Sequence, residues 1–139
     1  MKAFIDTNIF IYAQDEEDKQ KALVAQKLIT QLFKTRTGSI STQVIQEFCN
    51  VALKKASQPL TVTEVSDIAD ELLLPLLAHT PDGSFYKRVL KTYARYSLSF
   101  YDSTVVQAAI DMRCDVLYSE DMQNGASYGG VTAVNPFLG

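Results

Sequence analysis

Two short apolar runs each close on an acid, and this pattern limits the folds open to the chain. Ala3-Phe4-Ile5 leads into the turn Asp6-Thr7-Asn8, and Val116-Leu117-Tyr118-Ser119 leads into Glu120 and Asp121. Runs of this length bounded by turn residues read as buried strands, and amphipathic helical stretches lie between them. Strands alternating with helices predict an α/β domain with a central, mostly parallel sheet of four to five strands and helices on both faces. In such a sheet ligands bind beyond the carboxyl ends of the strands. Asp6 and Asp121 can therefore meet in one crevice although they stand near opposite ends of the chain.

The rest of the chain supports that reading. A strand at 2–6 is followed by a short helix at 8–14 and a longer one at 17–35, with Leu23, Leu28, Leu32 and Phe33 on its apolar side. Gly38-Ser39-Ile40-Ser41 reads as a second strand. Thr42 is placed to cap the next helix, whose Val44, Ile45, Phe48, Ala52 and Leu53 recur at helical spacing until Ser57-Gln58-Pro59. A helix over 62–73, a strand at Leu76-Leu77-Ala78-His79 and the turn Pro81-Asp82-Gly83 come next. Helices at 84–96 and from Tyr101, then strands at 115–119 and 131–134, complete the pattern. No repeat or linker divides it, so residues 1–139 are expected to form a single domain.

Apolar residues make up 47% of the 139 and charged residues 21%, ordinary globular usage that leaves enough apolar surface for a real core. A net charge of −3 argues against broad, charge-driven binding of nucleic acid. Divalent ions held by an acidic cluster would reverse the sign locally, where a phosphate must dock. No apolar run is long enough to span a membrane and the first residues enter a strand directly, so a cytoplasmic protein is expected. Cys49 and Cys114 lack ligand or disulfide spacing and read as reduced, packed thiols.

Four acids in four segments then need explaining: Asp6, Glu47, Asp102 and Asp121. Asp102 heads a stripe of Val105, Val106, Ala109 and Ile110. Each has an ordinary reading taken alone. Asp102 reads as a helix cap, Glu47 as a solvated helix flank, Asp6 as an Asx turn, and Asp121 as a cap beside the competing acid Glu120. A hard divalent cation explains the combination, because Mg2+ and Mn2+ take oxygen ligands and leave positions for water and phosphate. Zinc fits poorly, since His79 is the only histidine. The chain has no nucleotide-binding glycine motif and no nucleophile elbow.

Ile5-Asp6-Thr7-Asn8, Glu47 within Gln43-Val44-Ile45-Gln46-Glu47-Phe48, Leu98-Ser99-Phe100-Tyr101-Asp102-Ser103 and Leu117-Tyr118-Ser119-Glu120-Asp121-Met122-Gln123 together resemble the PIN-domain ribonucleases. Within that family the likeness is greatest to the VapC-type toxins of bacterial toxin–antitoxin pairs, and it covers essentially the whole chain. The resemblance implies a PIN-like fold and a metal-dependent endoribonuclease in which Asp6, Glu47, Asp102 and Asp121 hold Mg2+ or Mn2+. It also implies Asn8 and Ser119 as orienting groups, an RNA substrate, a cognate antitoxin and a homodimer. Glu120 leaves open which neighbouring carboxylate is the fourth ligand.

Lys87, Arg88, Lys91 and Arg95 form a basic stripe beside Tyr86, Tyr93 and Tyr96, suited to phosphates and splayed bases or, equally, to a solvated helix face. An antitoxin helix would need an apolar groove, for which Leu23, Leu28, Leu72 and Leu73 are expected to supply walls. Two alternatives stay open: an RNA-processing PIN nuclease without antitoxin, and a catalytically silent PIN-like binding module. A metal-dependent phosphatase is disfavoured because Asn8 stands where its second Asp would be.

Overall fold

β1 (Ala3–Ile5) lies near the middle of the molecule with all three residues fully buried. The structure is a computed structural model and describes residues 1–54 and 58–138. β1 is followed by α1 (Thr7–Ala13), α2 (Lys19–Thr35), β2 (Gly38–Ser41), α3 (Thr42–Lys54) and α4 (Val62–Ile68). Then come β3 (Leu77–His79), α5 (Phe85–Tyr96), α6 (Phe100–Asp111), β4 (Val116–Tyr118), β5 (Ser127–Tyr128) and β6 (Val131–Val134).

The strands form one sheet in the order β3-β2-β1-β4-β6-β5, parallel except for β5. Chain order reverses direction between β1 and β4, where Ile5 pairs with Tyr118. This is the expected α/β architecture with one correction, six strands among the described residues instead of four to five. The additional strand is β5, joined to β6 through Gly129 and Gly130, both at positive φ. Two positive-φ residues give the hairpin a twist that matches its strands.

Helices α1, α2 and α3 pack together, and α5 packs on α6. α6 meets α5 as well as β4 and β6, so its residues Ser103 to Ala109 are all buried. The stripe expected after Asp102 is therefore a helix buried nearly all round. On α2 the inward face is Ala22, Ala25, Ile29 and Leu32, while Leu23 and Phe33 are exposed. The small alanines face inward on the helix that packs against α1, and the larger side chains one position away turn out. Leu53 is exposed too.

α3 starts at Thr42 directly after β2, so Thr42 is itself helical and not a residue ahead of the helix. Its expected end at Ser57-Gln58-Pro59 falls partly outside the described residues. The helix predicted over 62–73 is α only to Ile68, then widens to a π turn at Ala69–Leu73 and tightens to a 3-10 turn at Leu74–Leu76. Pro75 has no N–H to continue the ladder there. Among the described residues no helix is long and apolar enough to cross a membrane. Cys49 and Cys114 are free thiols, as expected.

Gly129 combines a φ of 56° with a close approach, since an added Cβ would lie 2.9 Å from Ile110 Cδ1. Gly129→Ala is expected to destabilise the fold by roughly 1–3 kcal/mol, from the left-handed backbone alone. Urea denaturation of the two proteins checks this; an unchanged midpoint would refute it.

Candidate active site

The junction of β1 and β4 places Asp6 and Ser119 side by side just past the strand ends. Asp6 is 4% exposed. It caps α1, one carboxylate oxygen accepting from Thr7 N–H at 2.8 Å and the other from the Ser119 hydroxyl at 2.7 Å. Asp6 thus starts the next helix as a cap, with its bond one residue on and not the two of the expected Asx turn, and this is compatible with a site. The Thr7 hydroxyl is buried and has no hydrogen-bond partner among the described residues.

Ser119 Oγ also accepts from Asn8 Nδ2 at 3.3 Å and from Asp121 N–H at 3.1 Å. Asn8 Nδ2 lies 3.2 Å from Asp121 Oδ2, and Asn8 Oδ1 accepts from Glu120 N–H at 3.2 Å. With a carboxylate at one end and an N–H at the other, only one orientation of the Asn8 amide satisfies both contacts. Asp121 lies in an irregular segment and caps no helix.

Asp102 is not a cap either. Ser99 takes that place, its hydroxyl accepting from Asp102 N–H at 3.1 Å. The Asp102 side chain is left to face a pocket of about 500 Å³ lined by Asp6, Glu47, Asp102 and Asp121, with Gln46, Asn50, Tyr101 and Val105. The structure therefore brings all four acids to one pocket. Glu47 is held from behind: Gln43 Nε2 donates to it at 2.6 Å, and Gln43 Oε1 accepts from the Thr104 hydroxyl of α6. Gln43, Gln46, Glu47 and Asn50 are one polar flank of α3 at i, i+3, i+4 and i+7. That spacing was present in the sequence, and it signals the supporting residues that a search for acids alone passes over.

Burial raises the Asp6 carboxyl to about 7, against partial relief from the Ser119 and Thr7 hydrogen bonds and with added repulsion from Asp121 and Glu47. Burial also raises Asp102; Ser99 relieves this in part, and Asp121 and Glu47 add to it. Among the described residues none of the four acids has a Lys or Arg ion-pair partner. Like charges facing one pocket without a cation match the donor set that a hard divalent ion requires. No three of these side chains close into a ready-made direct shell among the described residues. Mg2+ suits this opening, because it keeps several waters and takes one or two carboxylates.

Glu120 points elsewhere. It accepts from Tyr12 OH at 2.7 Å and pairs with Lys21 Nζ at 2.5 Å, while Lys21 also lies over the Tyr12 and Phe137 rings. Burial pushes the Glu120 carboxyl up, but Lys21 and Tyr12 together hold it below its ordinary value. Of the basic stripe, Lys87, Lys91 and Arg95 are exposed, and Arg88 is committed to Asp111 through two hydrogen bonds. None of the four lines the acidic pocket. His79 packs on Phe85 at the strand end, as expected of a structural residue. The leucine groove is not built as predicted: Leu73 is fully buried, and Leu23 is exposed on α2 among polar neighbours.

The family model of the PIN domain matches residues 3–123, and the chain belongs to that family. Three solved structures share its fold. A toxin–antitoxin complex from Klebsiella pneumoniae is 20% identical, with a TM-score of 0.67 and 98% of each chain covered. Mycobacterium tuberculosis VapC20, described as a sarcin-ricin loop cleaving toxin, is 15% identical, with a TM-score of 0.66 over 94% of this chain and 99% of that one. VapBC2 from Rickettsia felis, bound to a DNA fragment from its promoter, is 16% identical, with a TM-score of 0.66 over 96% and 97%. No curated protein matches the chain.

The raised Asp6 carboxyl has a measurable consequence without metal. Its folded pKa of about 7 lies above the ordinary aspartate value of 3.8, so the folded state binds the proton more tightly. No penalty exists below that lower value; stability falls as pH rises between the two and stays reduced above the higher one. Asp6→Asn removes the penalty. In EDTA at pH 8 the variant is expected to be more stable than wild type by on the order of 2–4 kcal/mol, a gap that narrows toward pH 4. Denaturation curves across pH check this; parallel curves for the two proteins would refute it.

Proposed function

We propose that the chain is a metal-dependent endoribonuclease and the toxin of a toxin–antitoxin pair. The observation that carries the reading is the convergence of four acids from four segments on one pocket, with no cationic partner among the described residues. Membership of the PIN family, and a fold shared with toxin–antitoxin proteins of which one is described as a sarcin-ricin loop cleaving toxin, support it.

In this reading Asp6, Glu47, Asp102 and Asp121 would hold Mg2+ or Mn2+. The bound ion supplies a water of lowered pKa and neutralises charge on the phosphodiester. The chain's own residues do the positioning. Ser119 and the Thr7 N–H fix Asp6, Asn8 holds Asp121, and Gln43 holds Glu47 from behind. Val105 gives the pocket one apolar wall. Glu120 has no metal role here, because Lys21 and Tyr12 occupy both its oxygens. The exposed Lys87, Lys91 and Arg95 are the basic residues left to meet RNA phosphates outside the pocket. A cognate antitoxin and a homodimer belong to the same proposal.

End-labelled RNA incubated with the protein should be cut with Mg2+ or Mn2+ and left intact with EDTA. Asp6→Asn, Asp102→Asn and Asp121→Asn, each shown to be folded, should lose at least about 100-fold in rate, the upper end of what residues behind metal ligands cost. Glu120→Gln should retain cleavage within about tenfold. Activity that survives in the three variants would remove the acids from the chemistry, and loss in Glu120→Gln alone would exchange the fourth ligand.

A further inference from the structure

A second, smaller cavity adjoins the acidic pocket, and Gln46 and Tyr101 line both. Its volume is about 170 Å³. Tyr86 and Phe100 complete an aromatic rim with Tyr101, and these three rings are 49%, 40% and 69% exposed. Ser41 lines the cavity and is 4% exposed, and its hydroxyl makes no hydrogen bond among the described residues. Among the described residues the Gln46 amide and the Tyr101 hydroxyl make no hydrogen bond either. By contrast, the neighbouring Gln43 and Thr104 are bonded to one another.

We propose that this cavity receives one unpaired base of an RNA strand, from the nucleotide next to the phosphodiester held at the acids. The inference rests on the ribonuclease reading of the acidic pocket. The volume is below the range of drug-sized ligand sites and suits a single flat ring system. Single-stranded RNA is read by splaying bases onto aromatic side chains and bonding their edges, which is the combination present here. An amide offers both a donor and an acceptor to a base edge, and Ser41 adds a hydroxyl that can do either. The shared wall sets the distance, since a strand whose phosphate lies at Asp102 passes Tyr101 one residue away in the chain. The acids read only the phosphate; this cavity supplies the sequence dependence they lack.

The test is cleavage of a random-sequence single-stranded RNA pool with Mn2+, the cut ends being sequenced, for wild type, Tyr101→Ala and Ser41→Ala. Tyr101 is exposed, so its truncation leaves the core intact, and Ser41→Ala removes the hydroxyl without adding bulk to the cavity. Wild type should prefer particular bases at one fixed position beside the cut. Both variants should flatten that preference, with cleavage at preferred sites falling about 5- to 100-fold. A readout independent of turnover is 2-aminopurine at that position in RNA bound to Asp102→Asn protein. Its fluorescence should drop on binding, and the drop should vanish when Tyr101→Ala is added. Base-blind cleavage by wild type overturns the proposal and leaves the ribonuclease reading standing; RNA neither bound nor cut overturns both. A preference unchanged in both variants, with weakened binding of a protein partner, assigns the cavity to that partner instead.

Discussion

β1 and β4 run parallel and adjacent, so the chain leaves both strands at the same end of the sheet, and one hydroxyl ties the two exits together. Ser119 is fully buried; its Oγ donates to Asp6 and accepts from Asn8 and from the Asp121 backbone. A carboxylate as buried as Asp6 is costly unless hydrogen bonds reach it, and the strand pairing delivers Ser119 and the first N–H of α1 to its two oxygens. The positions of Asp121 and Asn8 follow from the same contact. Because chain order reverses at this pair of strands, the crevice forms where no crossover helix covers it.

Helices bring the other two acids, and each is fixed by a different means. α6 is enclosed by α5 and the sheet, which holds its axis, and Ser99 caps its start so that the Asp102 carboxylate is free to face the pocket. Glu47 lies on a more exposed helix flank and depends on Gln43, itself bonded to Thr104 of α6. The α3 and α6 acids are thus linked through polar side chains as well as through the core. Outside the pocket, Lys21, Tyr12 and Glu120 form a separate cluster against Phe137, joining α1 and α2 to the loop after β4. Asp121 and Glu120 are neighbours in sequence and face opposite electrostatic surroundings.

Much of this was legible beforehand. Strand-end acids are conspicuous because a carboxylate following an apolar run has few ordinary uses, and the four motifs stand in the order of the PIN family. What escaped was decided by packing or by short local chemistry. Gly129-Gly130 is a hairpin signal that went unread because β5 has only two residues. Leu23 and Phe33 look like core residues by hydrophobicity, but α2 turns its alanines inward. Arg88 resembles its basic neighbours, and only the approach of α6 shows that Asp111 has claimed it.

By itself the sequence determined the α/β class, the positions of the helices and of every described strand but β5 to within a few residues, and which four acids were candidates for one site. These follow from periodicity and from residue types that are expensive where they stand, both local properties. Tertiary structure alone decided that the four acids share one pocket, that Asp121 faces it and Glu120 does not, and that an aromatic cavity opens beside it. Those outcomes depend on which strands pair and which helix faces meet, and adjacent residues with the same chemistry become distinct only when their side chains are delivered to different neighbours.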